Sequence, residues 1–255
     1  MIPFNPSQKM KLLLDQHSGF EHMLAMDFQE TKDESALGAY AYSLLREAVQ
    51  CFLVCFNEPA KQLLHKSHEW GNAGIAANEK PMHYFPSATE AMRFETLALC
   101  NWLLHGQHDQ TSLDNYVKYY DEHLTSKGSK ADKVGVSMAL PSYADAGAFQ
   151  RVFEIFEKIP KLSPPESLSK IRSEGQMVYI LAQHHVQGQY TKQEIADAGE
   201  RFLKRNIENL LGNGRYVDAV QWLKILHWND TDRTATPKDI VMKCYNYLPG
   251  RTPPA

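Results

Sequence analysis

The stretch "LGNGRYVDAVQWLKIL", Leu211 to Leu226, decides what kind of fold this chain has. A Gly-Asn-Gly break runs straight into apolar residues at helical spacing. Such a break is either a phosphate-cradling loop or a tight turn between two packed helices. The loop lacks the Gly-Lys-Ser/Thr that grips a phosphate. It follows a helical run, "ERFLKRNIENLL", Glu200 to Leu211, and not a strand. The break therefore reads as a turn, with Gly212 or Gly214 as a left-handed helix cap.

The same period extends outward from this turn. Apolar residues fall at Tyr216, Ala219, Val220, Leu223 and Leu226, and earlier at Phe149, Val152, Phe153, Phe156 and Ile159. A third face runs from Leu37 through Leu44, Leu45, Ala48, Cys51 and Phe52 to Cys55. These are helical stripes. Clean alternating runs joined by hairpin turns are missing. The expectation is an all-α chain of roughly nine to eleven helices. Helix starts are expected at Asn57 with Pro59 in the first turn, and at Ser87 with Glu90 as a capping box. Further starts are expected at Pro164-Pro165-Glu166 and at Thr236-Pro237. Short connections suit antiparallel neighbours, so residues 1–248 read as one helical domain, followed by a Pro-rich tail at 249–255.

Composition bounds the class of protein. The chain has 255 residues, 43% apolar and 22% charged, which suits one large globular domain. The formal net charge is -3, and the most basic stretch, "RFLKRN" at Arg201 to Asn206, is an ordinary helix surface. This argues against nucleic-acid binding. The start, "MIPFNPSQKMKLLLDQ", lacks a basic segment followed by a long apolar run. The longest apolar-rich stretch, Ala48 to Phe56, is too short for a bilayer. A cytoplasmic protein without a membrane span is expected. Cys51, Cys55, Cys100 and Cys244 lack zinc-knuckle spacing, and apolar neighbours such as "QCFLVCF" mark them as reduced core thiols.

An internal repeat is present. Gly106, Gly147 and Gly188 recur every 41 residues, each after an apolar helical run. "LALCNWLLHGQ" and "YILAQHHVQGQ" both end Gly-Gln, and Leu113 matches Ile195 as Tyr120 matches Phe202. Each unit reads as helix, tight turn, helix. One such pair cannot bury its apolar face alone, and stacked copies solve that problem as an α-solenoid.

Two stretches carry a resemblance. "GNGRYVDAVQWLKIL" resembles the start of a tetratricopeptide-type helix through Gly214, Tyr216 and Ala219. "AGAFQRVFEIFEKIP" resembles the same element through Gly147, Phe149 and Pro160. The resemblance implies a degenerate tetratricopeptide-like array, although the usual Trp and Leu-Gly of the first helix are missing. "ETLALCNWLLHGQ", Glu95 to Gln107, with the repeats around it, looks like bacterial immunity proteins of polymorphic toxin systems, notably immunity 49. That likeness implies a cytoplasmic inhibitor that occludes a cognate toxin.

Candidate sites are weighed against plain helix faces. His65 and His68 in "HKSHEW" lie one turn apart and could hold zinc, but a third ligand is not visible nearby. His105 and His108 span a turn, while His184 and His185 point in different directions. Nothing marks a catalytic nucleophile, a cofactor site or a metal site. Two clusters suit a protein partner better: Asp27, Glu30, Asp33 and Glu34, and then Tyr116, Tyr119, Asp121 and Glu122. Tyr120 is expected in the core through its match to Phe202. The leading expectation is a non-enzymatic module that binds a toxin or effector domain, with no cofactor. The alternatives are a metal-dependent helical hydrolase using His65 and His68, and a tetratricopeptide-like adaptor for a short peptide.

Overall fold

The computed structural model describes residues 35–53, 57–76, 86–127, 133–158, 164–213, 215–228, 236–237 and 239–240. Nine α-helices and no strand occur among them. They are α1 (Ser35–Leu53), α2 (Asn57–Ala76), α3 (Pro86–His105), α4 (Gln110–Lys127) and α5 (Lys133–Asp145). After these come α6 (Phe149–Lys158), α7 (Glu174–Gln187), α8 (Lys192–Gly212) and α9 (Tyr216–Trp228). The fold is an all-α array of helix pairs.

The 41-residue repeat is real in three dimensions. Gly106, Gly147 and Gly188 have φ of 65°, 72° and 62°, and each ends the first helix of a pair. Equivalent carbonyls receive the turn hydrogen bonds. Gly106 N–H donates to Trp102 O at 2.8 Å, Ala148 N–H to Tyr143 O at 2.9 Å, and Gly188 N–H to His184 O at 3.1 Å. A left-handed residue that closes a helix is where glycine avoids the Cβ penalty. Leu113 and Ile195 both enter the core, as their match requires. Phe202 does too, but its counterpart Tyr120 only packs partly buried against the core.

Side-chain caps set several boundaries. Ser173 accepts from Gln176 N–H while the Gln176 side chain accepts from Ser173 N–H, and Thr191 and Glu194 do the same for α8. The expected start at Pro164-Pro165-Glu166 is corrected by the first of these boxes. Those residues lead through a bend at Glu166 into a 3₁₀ turn at Leu168–Lys170, and α7 opens only at Glu174. α3 opens at Pro86, one residue before the expected cap Ser87. The start at Thr236 stands: its hydroxyl accepts from Asp239 N–H at 3.2 Å, and Asp239 Oδ2 accepts from Thr236 N–H at 2.9 Å. At the opening stretch, Gly212 is still helical and Asn213 caps α8 with φ -91°, so the cap there is not left-handed at Gly212. Gly214 lies outside the described residues.

Packing joins each pair to the next, through α4 on α5 and through α5 and α6 on α7. α1 lies on α2 and α3, and α5 on α7. α9 packs on α8 and also reaches back to α1 and α5. That return closes the array on one side, where an open solenoid would run on. Trp102, Tyr143, Phe202 and Trp222 are the large rings wholly buried in the resulting core.

Candidate functional site

The first helices of the pairs bring polar side chains to one inner junction. Tyr42 comes from α1, Glu95 from α3, Ser142 and Asp145 from α5, and Glu174 from α7. Asp218, Gln221 and Lys224 come from α9 at a spacing of three, which holds them close to one face of that helix. Ser142 Oγ donates to Glu95 Oε1 in a short contact. Gln221 Nε2 donates to Ser142 Oγ at 2.7 Å and to Glu95 Oε1 at 3.2 Å. Burial, with Asp218 and Asp145 adding to it, pushes the Glu95 carboxyl up to about 7 against the bonds from Ser142 and Gln221.

Beside this triad lies a buried ion pair. Lys224 Nζ donates to Asp145 Oδ2 at 2.6 Å and sits 5.4 Å from the centre of the Trp102 ring. Asp145 Oδ1 has no hydrogen-bond partner among the described residues. Toward the rim, Arg215 bonds Glu174 at 3.2 Å and Asp218 at 2.5 Å. Burial and Asp218 raise the Glu174 carboxyl, and Arg215 pulls it back. Burial, with Asp218 and Glu95 nearby, keeps the Tyr42 phenol protonated well beyond its ordinary range.

A second network takes up part of the expected tyrosine–carboxylate surface. Asp121 accepts from Arg151 Nε at 2.8 Å and from the Tyr143 hydroxyl at 2.7 Å, which ties α4 to α6 and α5. Tyr116 is only 3% exposed and donates to Ala139 O at 3.4 Å, so its ring cannot meet a partner. This corrects the expectation for Tyr116. The reason is register: in "YVKYYDEH" both Tyr116 and Tyr120 meet Tyr143 of α5 edge-on, at 6.0 and 6.1 Å, and of the two it is Tyr116 that is fully buried. Tyr119 is half-buried and stacks on Phe94 at 5.5 Å, and Glu122 is exposed. Asp27, Glu30, Asp33 and Glu34 lie outside the described residues.

The described histidines are spread over α2, α3, α4 and α7, with His108 in the turn after α3. His65 is exposed. His68 lies 3.1 Å from Asn72 Nδ2, and burial and His105 together lower its pKa. Burial opposes the charge on Asp109, yet bonds from Ser112 at 2.8 and 3.0 Å and from Asn101 at 2.6 Å hold its carboxyl below the usual range. Among the described residues, no three His, Cys, Asp or Glu side chains are placed to hold a metal ion. His184 meets Tyr190 O at 2.8 Å while His185 stacks on Phe149 at 4.2 Å. Cys51 and Cys100 are buried free thiols, raised by burial to about 11 and about 12. No described helix is long and apolar enough to cross a membrane.

The inner junction was missed by searching for catalytic signatures. A different signal points to it: polar residues inside otherwise apolar helices, namely Glu95 in "FETLALCNW", Ser142 and Asp145 in "ALPSYAD", and Gln221 and Lys224 in "AVQWLKIL". A serine beside a carboxylate that titrates near neutrality has the elements of a nucleophile and its base. Ser142, however, is 0% exposed, which denies its hydroxyl any approach by a substrate. The arrangement cross-links helices. No protein-family model matches this chain, and comparison with curated proteins and with solved structures returned no match. The likenesses to tetratricopeptide repeats and to immunity 49 rest on the quoted residues alone.

Proposed function

We propose that this chain is a non-enzymatic protein-binding module, and more narrowly an inhibitor that binds a cognate toxin domain and occludes its active site. One observation carries the reading. The ionisable side chains of the inner junction are engaged with one another, Lys224 with Asp145, Arg215 with Glu174 and Asp218, and Glu95 with Ser142 and Gln221. Side chains used in this way set helix positions. Outward, α2, α4 and α8 present charged and amide side chains, and among the described residues the exposed large hydrophobics are Met92 at 43% and Val186 at 45%. A surface of that kind suits recognition by charge and shape. The inhibitor reading further draws on the likeness of "ETLALCNWLLHGQ" and its surrounding repeats to immunity proteins. Block of the toxin would be steric and electrostatic, with a large, tight interface to a folded domain.

The test is co-expression with the product of the adjacent upstream gene. The reading predicts that this product slows growth alone, that the chain restores growth, and that the two co-purify. Slowed growth without rescue or co-purification would remove the proposal.

A further inference from the structure

α9 ends at Trp228, 41 residues after α7 ends at Gln187. Beyond it a further helix opens at Pro237. Thr236 and Asp239 bond each other across that start, as Thr191 and Glu194 do across the start of α8. Reciprocal bonds of this kind fix a helix start. The core register agrees as well. The residues before α4, α6 and α8 are Asp109, Ala148 and Thr191, and four positions on come Leu113, Val152 and Ile195. Four positions after Thr236 comes Ile240. All four apolar side chains are buried, and each of their amides donates back to its cap carbonyl at 3.1 to 3.2 Å. The new helix also touches the beginning of the array. Pro237 Cδ lies 3.9 Å from the place a Cβ on Gly106 would take, against the turn between α3 and α4.

We infer that α9 and the helix opening at Pro237 are a fourth unit of the repeat, and that this last helix clasps the end of the array to the turn of the first unit. In three units the second helix sends the residue at this register into the core, and Ile240 makes the fourth within the same continuous core. Stacked units touch their neighbours, and each end of the stack leaves an apolar face that needs cover. Here the two ends meet. The contact of Pro237 with the Gly106 turn joins positions 131 residues apart, so it forms only when the units between them are stacked. The clasp adds one long-range tie to a structure otherwise built from neighbour contacts. This device goes beyond the binding role proposed above and does not depend on it.

Hydrogen exchange of the full chain carrying Ile240→Ser, read by mass spectrometry against the wild type, tests the clasp. The Gly188 turn serves as the reference, because nothing lies within 4 Å of a Cβ built there. Loss of the buried isoleucine is expected to speed exchange about tenfold or more at the Gly106 turn, and to leave the Gly188 turn as it was. An equal rise at both turns, or no rise at Gly106, overturns the proposal. If Ile240→Ser does not fold, amide exchange of the wild type by NMR decides. An Ile240 amide as slow as that of its counterpart Ile195 upholds the clasp, and one about tenfold or more faster overturns it.

Discussion

With side-chain exposures of 1% and 4%, Lys224 and Asp145 hold their charges almost wholly out of water. Such a pair roughly offsets its own desolvation, but removing one member leaves a buried charge without compensation. Lys224→Met alone is expected to lower unfolding free energy by about 3–5 kcal/mol, and Lys224→Met with Asp145→Leu to recover most of that loss. Urea unfolding of the two variants checks this. Equal losses would mean that the pair is not coupled. Glu95 makes a different prediction, in pH. Its folded pKa of about 7 lies above the ordinary 4.5, so the folded state holds the proton more tightly than the unfolded chain. Stability from that proton is full below the unfolded value and is lost as pH rises through about 7. Relative to Glu95→Gln, the wild type should weaken by about 3 kcal/mol between acid and mildly basic pH. Denaturation curves at both ends of that range measure the difference. These residues stand in plain view in the sequence, but their roles do not. Nothing local tells that Gln221 will meet Ser142 across 79 positions, and the register that buries Tyr116 ahead of Tyr120 is set by α5.

Helices and turns were more legible, because their determinants are local. A glycine needed at positive φ is a property of a few consecutive residues, so Gly106, Gly147 and Gly188 announced three helix pairs before any tertiary contact was known. Gly147 has open space around a built Cβ, which leaves only backbone strain as the cost of substitution. Gly147→Ala should therefore destabilise by about 1 kcal/mol, and Gly147→Asn by less, because Asn tolerates the left-handed region. Thermal melts of the two variants test the order. Where local signals competed, the reading failed. The Pro164-Pro165 pair resembles a helix opening, yet the reciprocal bonds of Ser173 and Gln176 place it at Glu174. Ser173→Ala is expected to cost about 1 kcal/mol. Pro141 lies inside α5, whose ninth residue has no N–H for the ladder, and tertiary packing overrides that penalty.

For the whole molecule, the return of α9 onto α1 and α5 is the feature the repeat did not announce. A periodic sequence predicts stacking of neighbours and carries no signal for contact between the ends. The return draws the polar residues of the first helices inward and leaves the charged faces of α4 and α8 outside. Glu122, exposed on α4 and part of a cluster marked for a partner, is the residue to probe there. Glu122→Lys should weaken partner binding about tenfold or less, mainly through the association rate, without changing the melting temperature. Unchanged affinity would remove that part of α4 from the contact surface. The central claim is that a cross-linked helical array grips a folded protein. Calorimetric titration of the purified chain with the purified product of the adjacent upstream gene tests it most directly. The account predicts one-to-one binding with a Kd of about nanomolar order that weakens with salt. Two folded proteins that give no binding heat even at tens of micromolar, at more than one temperature, would contradict it.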